Sequence, residues 1–158
     1  MPSEHKTNET IKYKLATAMK ECMKSASVEK ITVTEIVETC GVTRQTFYRN
    51  FQDKYDLINW YFDKLLLESF AQMGDGLTVY EGLTRKFEFI QKERVFFAGA
   101  FRSDDHNSLR EHDYELILDF YTQLIGRKTG RQPEENILFP LRLYCRGSID
   151  MTVEWIFA

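Results

Sequence analysis

The sequence predicts an all-α fold in two parts, a small N-terminal three-helix domain over residues 1–52 and a C-terminal helical bundle over residues 53–158. Three observations carry that expectation. Apolar residues recur at three- and four-residue spacing along nearly the whole chain, the period of a helix that buries one face. No segment of useful length alternates as a strand does, and proline is confined to Pro2, Pro133 and Pro140. Start and stop signals then divide the chain into pieces of ordinary helical length.

Each element has its own justification. Ile11, Leu15, Ala18, Met19, Cys22 and Met23 form one stripe, which predicts an amphipathic first helix from about Glu9 to Ser25. Thr32 and Glu35 have the spacing of a capping box and open a short second helix that ends near Cys40. Gly41 follows, where a left-handed turn costs a glycine little. Thr43 caps a third helix that closes near Phe51, and Asp53 caps a fourth with Leu57, Ile58, Tyr61, Phe62, Leu65 and Leu66 inward. Gly74-Asp75-Gly76 breaks that helix. A fifth runs from about Thr78 to Gln91 with Leu83, Phe87 and Ile90 inward, and a tight turn at Lys92-Glu93 leads into a short apolar helix, Val95 to Phe101. Arg102 to Ser108 reads as loop, Leu109 to Ile125 as helix, and Gly126 to Gln132 as a second loop. Pro133 suits the first turn of a last helix that continues to Ala158. Pro140 inside it is expected to kink it or restart it one turn later.

Composition narrows the function. A hydrophobic fraction of 43% can fill a core, and a net charge of −3 argues against a non-specific polyanion binder. The charge is uneven. Up to Trp60 there are nine Lys/Arg against eight Asp/Glu, and after it twelve against sixteen, so the first part is the less acidic one. Cys22, Cys40 and Cys145 are too few and too scattered for a disulfide framework or a zinc site, and fit small apolar residues in a reducing compartment. The polar N-terminus is no signal peptide, and no apolar run reaches the ~20 residues needed to span a bilayer. The expected location is the cytoplasm.

The third helix carries the sharpest pattern. At about 100° per residue, Phe47 and Phe51 fall together and face the core with Val42. The opposite arc holds Gln45, Thr46 and Arg49, with Arg44 and Tyr48 flanking it. With the second helix and Gly41 this is a helix-turn-helix. An α-helix fits the major groove of double-stranded DNA and meets base edges with its N-terminal residues. Arginine pairs bidentately with guanine and glutamine with adenine, so Arg44 and Gln45 are the candidates for sequence readout. Thr43, Thr46, Tyr48 and Arg49 are better suited to phosphates. Thr32 caps a helix whose N-terminal N–H groups can meet a phosphate, and Lys54 can reach the backbone on the other side. For any single one of these residues the plain alternative is a solvated helix face.

At these residues the sequence resembles the TetR-type transcriptional regulators. The signature stands here as Thr32-Val33-Thr34-Glu35-Ile36-Val37, then Gly41-Val42-Thr43-Arg44-Gln45-Thr46-Phe47-Tyr48-Arg49-Asn50-Phe51, then Lys54 and Leu57. Gln45 occupies a place often held by a small residue in that family, and Asn50 one usually held by His or Tyr. The Arg44–Tyr48 run, Phe51-Gln52, Trp60-Tyr61-Phe62 and the stretch from Phe89 to Phe97 are similar to the dihydroxyacetone-kinase regulator subgroup. That subgroup includes an activator controlled by a partner protein that senses dihydroxyacetone. The family resemblance further implies a homodimer formed through the last two helices. The chain is read as supplying one of them, from about Pro133, with the last family helix missing. Either a reduced interface uses Leu141, Tyr144, Ser148, Met151 and Trp155, or the sequence is a truncated form.

The remaining constellations are weaker. His106 and His112 lie among Asp104, Asp105, Glu111 and Asp113 without any metal-ligand spacing, so no metal and no cofactor is expected. Gly126-Arg-Lys-Thr-Gly130 is a basic turn, not a phosphate loop. No hydrolase motif is present, so an enzyme is not expected. Arg142, Arg146, Asp150 and Glu154 form a row on the last helix, in which Arg146 and Asp150 can pair. Alternatively an arginine of the row faces a ligand pocket walled by Trp60, Tyr61, Phe87, Phe96, Tyr114 and Tyr121 and formed with Arg142 and Arg146, although core packing serves each aromatic as well. The expectation is a dimeric regulator that binds a palindromic operator through residues 43–51, controlled by a small-molecule effector or a partner protein. The competing expectation is a protein-binding module that keeps the fold and acts through a partner.

Overall fold

The fold is given by a computed structural model, which describes residues 4–72, 78–103 and 109–158. It comprises α1 (Glu4–Met23), α2 (Val33–Cys40), α3 (Arg44–Asn50), α4 (Lys54–Gln72), α5 (Val79–Lys92), α6 (Arg94–Arg102), α7 (Leu109–Thr129) and α8 (Glu135–Phe157). Among the described residues there is no strand, in keeping with the all-α expectation. The helices gather into two compact units, Met1–Ser103 and Asp104–Ala158. The functional division expected after Gln52 falls inside the first unit.

In the first unit α1 is the central element and packs against α2, α3, α4 and α6. Its stripe does so because Leu15, Ala16, Ala18 and Met19 are all buried. The connection from α1 to α2 is closed by bonds from the N–H groups of Lys30 and Ile31 to the Ser27 carbonyl, 3.0 and 3.2 Å long. This turn drives Val28 and Ile31 into the core. Phe47 and Phe51 of the α3 segment are buried as their spacing demands, with ring centroids 5.9 Å apart. The aromatic layer continues upward. Tyr61 meets Phe96 edge-on at 4.8 Å, and Phe62 meets Phe97 and Phe101 at 5.9 and 5.5 Å. Edge-to-face pairs at these separations contribute beyond their buried area. Gly99 permits close approach of α6 to α1, since a Cβ there would lie 3.3 Å from Met23 Sδ.

Thr78 and Glu81 form a second capping box, at the start of α5. Glu93 turns the chain directly from α5 into α6. The expected break at Gly74–Gly76 lies outside the described residues, as do Asp104, Asp105 and His106. Of the expected loop from Arg102, Arg102 ends α6 and Ser103 is buried in the following turn.

In the second unit α7 and α8 run antiparallel. Arg110 near the start of α7 pairs with Asp150 near the end of α8 at 3.0 Å, and Tyr121 further along α7 meets Tyr144 at 5.6 Å. Three expectations are corrected here. The loop does not begin at Gly126, because α7 continues to Thr129 and the left-handed terminator is Gly130, φ 74°, whose N–H bonds the Gly126 carbonyl at 2.9 Å. Pro133 is not in the first turn, since Glu134 is the N-cap, with extended backbone at φ −82° and ψ 170°. Of the two outcomes expected at Pro140, a kink or a restart, the restart is ruled out. α8 is continuous through the proline, because the loss is a single N–H donor close to an exposed first turn, where water can serve the freed carbonyl.

The apolar row expected to lie open is only partly so. Leu141, Ser148 and Trp155 are half-buried, whereas Tyr144 and Met151 of the row are 42 and 64% exposed, and Phe139 and Leu143 outside it are 64 and 69% exposed. The open face of α8 therefore shares Tyr144 and Met151 with the expected row and extends beyond it to Phe139 and Leu143. Among the described residues no helix is long and apolar enough to cross a membrane. Cys22, Cys40 and Cys145 form no disulfide among the described residues.

Candidate nucleic-acid interface

The helix-turn-helix is fixed at both ends of its turn. Thr32 Oγ1 accepts from the Glu35 N–H at 3.2 Å, while the Glu35 carboxylate accepts from the Thr32 N–H at 2.7 Å and from its hydroxyl at 2.9 Å. The backbone N–H of Thr32 first, and then its hydroxyl, hold the Glu35 carboxyl below the usual range. α2 ends at Gly41, φ 70°, the left-handed conformation that only glycine adopts without strain. Thr43 then caps α3, its Oγ1 accepting from the Thr46 N–H at 3.1 Å.

With Phe47 buried beneath, Thr43, Arg44, Gln45, Tyr48 and Arg49 are exposed, and Thr46 is half-buried with its hydroxyl 3.0 Å from that of Thr43. The arc is thus brought together as its spacing implies. Two side chains have partners that the sequence did not disclose. Arg44 Nη1 donates to Thr34 Oγ1 on α2 at 2.8 Å, and its guanidinium lies 5.8 Å from the Tyr48 ring centre. Lys54 Nζ donates to the carbonyls of Glu29 and Ile31 at 3.0 and 2.8 Å, so two of its three donors brace the turn ahead of α2. The Asn50 amide donates to the Thr46 carbonyl at 2.9 Å.

Beside α3 lies a cleft of about 520 Å³, lined by Glu9 and Lys12 of α1, Arg49 and Asn50 of α3, and Trp60 and Lys64 of α4, among others. Lys12 Nζ stands 5.3 Å from the Phe51 ring centre and 5.6 Å from that of Trp60. Lys64 pairs with Glu9 at 3.0 Å. Nothing in the sequence groups residues 12, 49, 60 and 64 until three helices are packed.

Further along the same unit, Lys20 of α1 pairs with Glu93 at 3.1 Å, and the Tyr61 hydroxyl of α4 donates to the same carboxylate at 3.5 Å. Burial works against the Lys20 charge, but hydrogen bonds and charge from Tyr61 and Glu93 outweigh it, so its pKa stands above the ordinary lysine value. Burial, above all, raises the Tyr61 phenol.

The residues expected to wall a ligand pocket are distributed over both units. Tyr61 and Phe96 are core, Trp60 packs edge-on against Tyr13 at 4.9 Å, and Phe87 is half-buried on α5. In the second unit the Arg146 guanidinium lies 3.5 Å from the Tyr114 ring centre and grips Glu111 with bonds of 2.7 and 3.0 Å. Arg146 therefore pairs across to α7 and not with Asp150, whose partner is Arg110. Arg142 holds Glu135 along α8 at 2.7 and 3.1 Å. These arginines hold the Glu111 and Glu135 carboxyls below the usual range. Burial pushes the Tyr121 phenol up. Among the described residues no group of three or more His, Cys, Asp or Glu side chains is placed to hold a metal ion.

Comparison with known proteins agrees with this geometry. Residues 15–60 match the family model of bacterial regulatory proteins, tetR family, and residues 78–158 match that of a transcriptional regulator C-terminal region. The chain is 28% identical over 90 residues to the HTH-type dhaKLM operon transcriptional activator DhaS of Lactococcus lactis subsp. lactis (strain IL1403). That match takes in 57% of this chain and 48% of the relative, about half its length. A solved structure of a dihydroxyacetone kinase operon activator DhaS superposes with a TM-score of 0.69 at 21% identity, covering 92% of this chain and 83% of that one. At that identity the superposition speaks for the fold alone.

Proposed function

The chain belongs to the tetR family of bacterial regulatory proteins, a transcriptional regulator and not an enzyme, and we propose that it acts as a homodimer on a palindromic DNA operator. One observation supports this above the others. α3 offers Gln45 and Arg49 to the outside over the buried Phe47, behind a capped α2. In this reading Arg44 and Gln45 contact base edges, and Thr43, Thr46, Tyr48 and Arg49 contact phosphates. Thr32 places the N-terminus of α2 at a further phosphate, and Lys54 offers its remaining donor from the base of α4.

Reading a palindrome requires two heads about one helical turn, ~34 Å, apart. The antiparallel α7–α8 pair, with Phe139, Leu143 and Met151 open on α8, is the proposed surface for the second copy. An effector or co-regulator protein then sets the spacing of the heads, through its differential affinity for two states. The likeness to a dhaKLM operon activator makes a similar operon, in the cytoplasm, the first candidate for regulation.

Selection of genomic DNA bound by the purified protein tests the reading. A palindromic site is expected, and Gln45→Ala is expected to change base preference more than Tyr48→Phe does. No duplex enriched even in low salt, with an abundant protein partner captured instead, would replace the DNA reading with that of a protein-binding module.

A further inference from the structure

The cleft between α1, α3 and α4 has an excess of positive charge that the fold does not neutralise. Lys12, Arg49 and Lys64 line it, and its single carboxylate, Glu9, is taken by Lys64 at 3.0 Å. Among the described residues neither Lys12 nor Arg49 has a carboxylate within ion-pair distance. Lys12 is held in place by other means. The faces of Phe51 and Trp60 lie 5.3 and 5.6 Å below its ammonium, attracting the charge without cancelling it. All three N–H donors of that ammonium are left for an acceptor. Arg49 adds a planar fork suited to a tetrahedral oxyanion. The cleft, about 520 Å³, has room for more than a single ion.

We propose that this cleft is a phosphate-binding site with Lys12 as its principal ligand, Arg49 as its second, and Glu9 as the group that limits its affinity. The phosphate belongs either to the DNA backbone flanking the base contacts or to a free phosphate-bearing small molecule. Arg49 is common to the cleft and to the outward arc of α3, so a free phosphate would compete with the operator. The backbone source rests on the DNA reading above; the free source does not.

The experiment uses the full chain carrying Trp155→Phe, which leaves Trp60 of the cleft as its one tryptophan, the wild-type chain having two. Inorganic phosphate is titrated at constant ionic strength against chloride, with Trp60 emission as the signal. In parallel, affinity for the selected duplex is measured over a range of salt. A saturable change in emission is expected, weakened on the order of tenfold by Lys12→Gln through loss of a charge-assisted hydrogen bond, restored by Lys12→Arg and strengthened by Glu9→Gln. For the backbone source, Lys12→Gln lowers the salt slope by about 0.9, the value of one phosphate contact. An emission change alone assigns the free phosphate, and a slope change alone assigns the DNA backbone. With folding shown intact by thermal unfolding, the absence of both changes overturns the proposal. Should Lys12→Gln not fold, the gain or its absence in Glu9→Gln decides. If no duplex binds at all, the DNA reading fails by itself and the phosphate titration alone decides the cleft.

Discussion

Arg44 Nη1 donates to Thr34 Oγ1 across 2.8 Å, which fastens the first residue of α3 to the second residue of α2. The guanidinium has five donors, so this bond leaves four for DNA. A long side chain that is ordered before binding loses less entropy on binding. Thr34→Val is therefore expected to weaken operator binding about two- to tenfold, the cost of immobilising one rotamer-rich side chain. Arg44→Lys, which removes the planar fork, is expected to cost about tenfold or more and to relax preference at one base pair. Fluorescence anisotropy with the selected duplex and its single-base variants measures both. An unchanged affinity for the Thr34→Val protein would show that Thr34 does not set Arg44 in place.

Lys54 is expected to matter for stability before it matters for DNA. Its ammonium serves the Glu29 and Ile31 carbonyls on the turn that buries Val28 and Ile31. Lys54→Met removes both bonds and is expected to lower stability by about 1–2 kcal/mol, toward the low end for charged hydrogen bonds because the site is partly solvated. Urea unfolding of the free protein is the measurement. A midpoint equal to wild type would mean that water replaces the ammonium without loss.

Acid should loosen the caps and the α7–α8 pairing together. The carboxyls of Glu35, Glu81, Glu111 and Glu135 are all held below the ordinary value of 4.5. A carboxyl depressed by folding contributes stability that is fully present above its unfolded value and is lost as pH falls through the folded one. The thermal midpoint is therefore expected to hold from neutrality to about pH 5 and to drop below it. Glu35→Gln should flatten part of that drop while lowering the plateau. Lys20 has the opposite sign. Its raised pKa contributes fully below the unfolded value of 10.5 and is lost only above it, so it has no share in the acid transition.

The open face of α8 predicts concentration-dependent behaviour. Leu143, 69% exposed, lies between Phe139 and Met151 along that face. Leu143→Glu places a charge there that a second copy would have to bury. Sedimentation equilibrium is expected to give a dimer for the wild type and a monomer for Leu143→Glu, with weaker operator binding by the variant. A Leu143→Glu protein that stays dimeric would move the interface elsewhere.

Much of this was legible in the sequence because local rules govern it. Thr32, Gly41, Thr43 and Asp53 each act within four residues of their own position, and each ends or begins a helix where its chemistry requires. The burial of Phe47 and Phe51 follows from helical period alone. What the sequence withheld depends on register between helices. The Lys20–Glu93 pair joins residues 73 apart, and Arg146 meets Glu111 across 35. Residues on different helices cannot be matched before the packing angle is known. The misplacement of the α7 terminus has a local cause. Gly126 and Gly130 are four residues apart, and either satisfies the rule for a stop; the reversal at Gly130 alone has a left-handed backbone. The aromatic cradle of Lys12 is likewise a product of three helices and has no linear signature.

Gly130 has one more consequence, and it concerns time. Only residues 130–134 separate α7 from α8, so their pairing closes a very short loop. The first unit instead has to bring α1 against α6 and Lys20 against Glu93 across most of its length. Loop-closure entropy must be met before distant contacts reward it, and chains rich in local contacts fold faster. The α7–α8 hairpin is thus expected to assemble first during refolding, with α1 and α6 joining later.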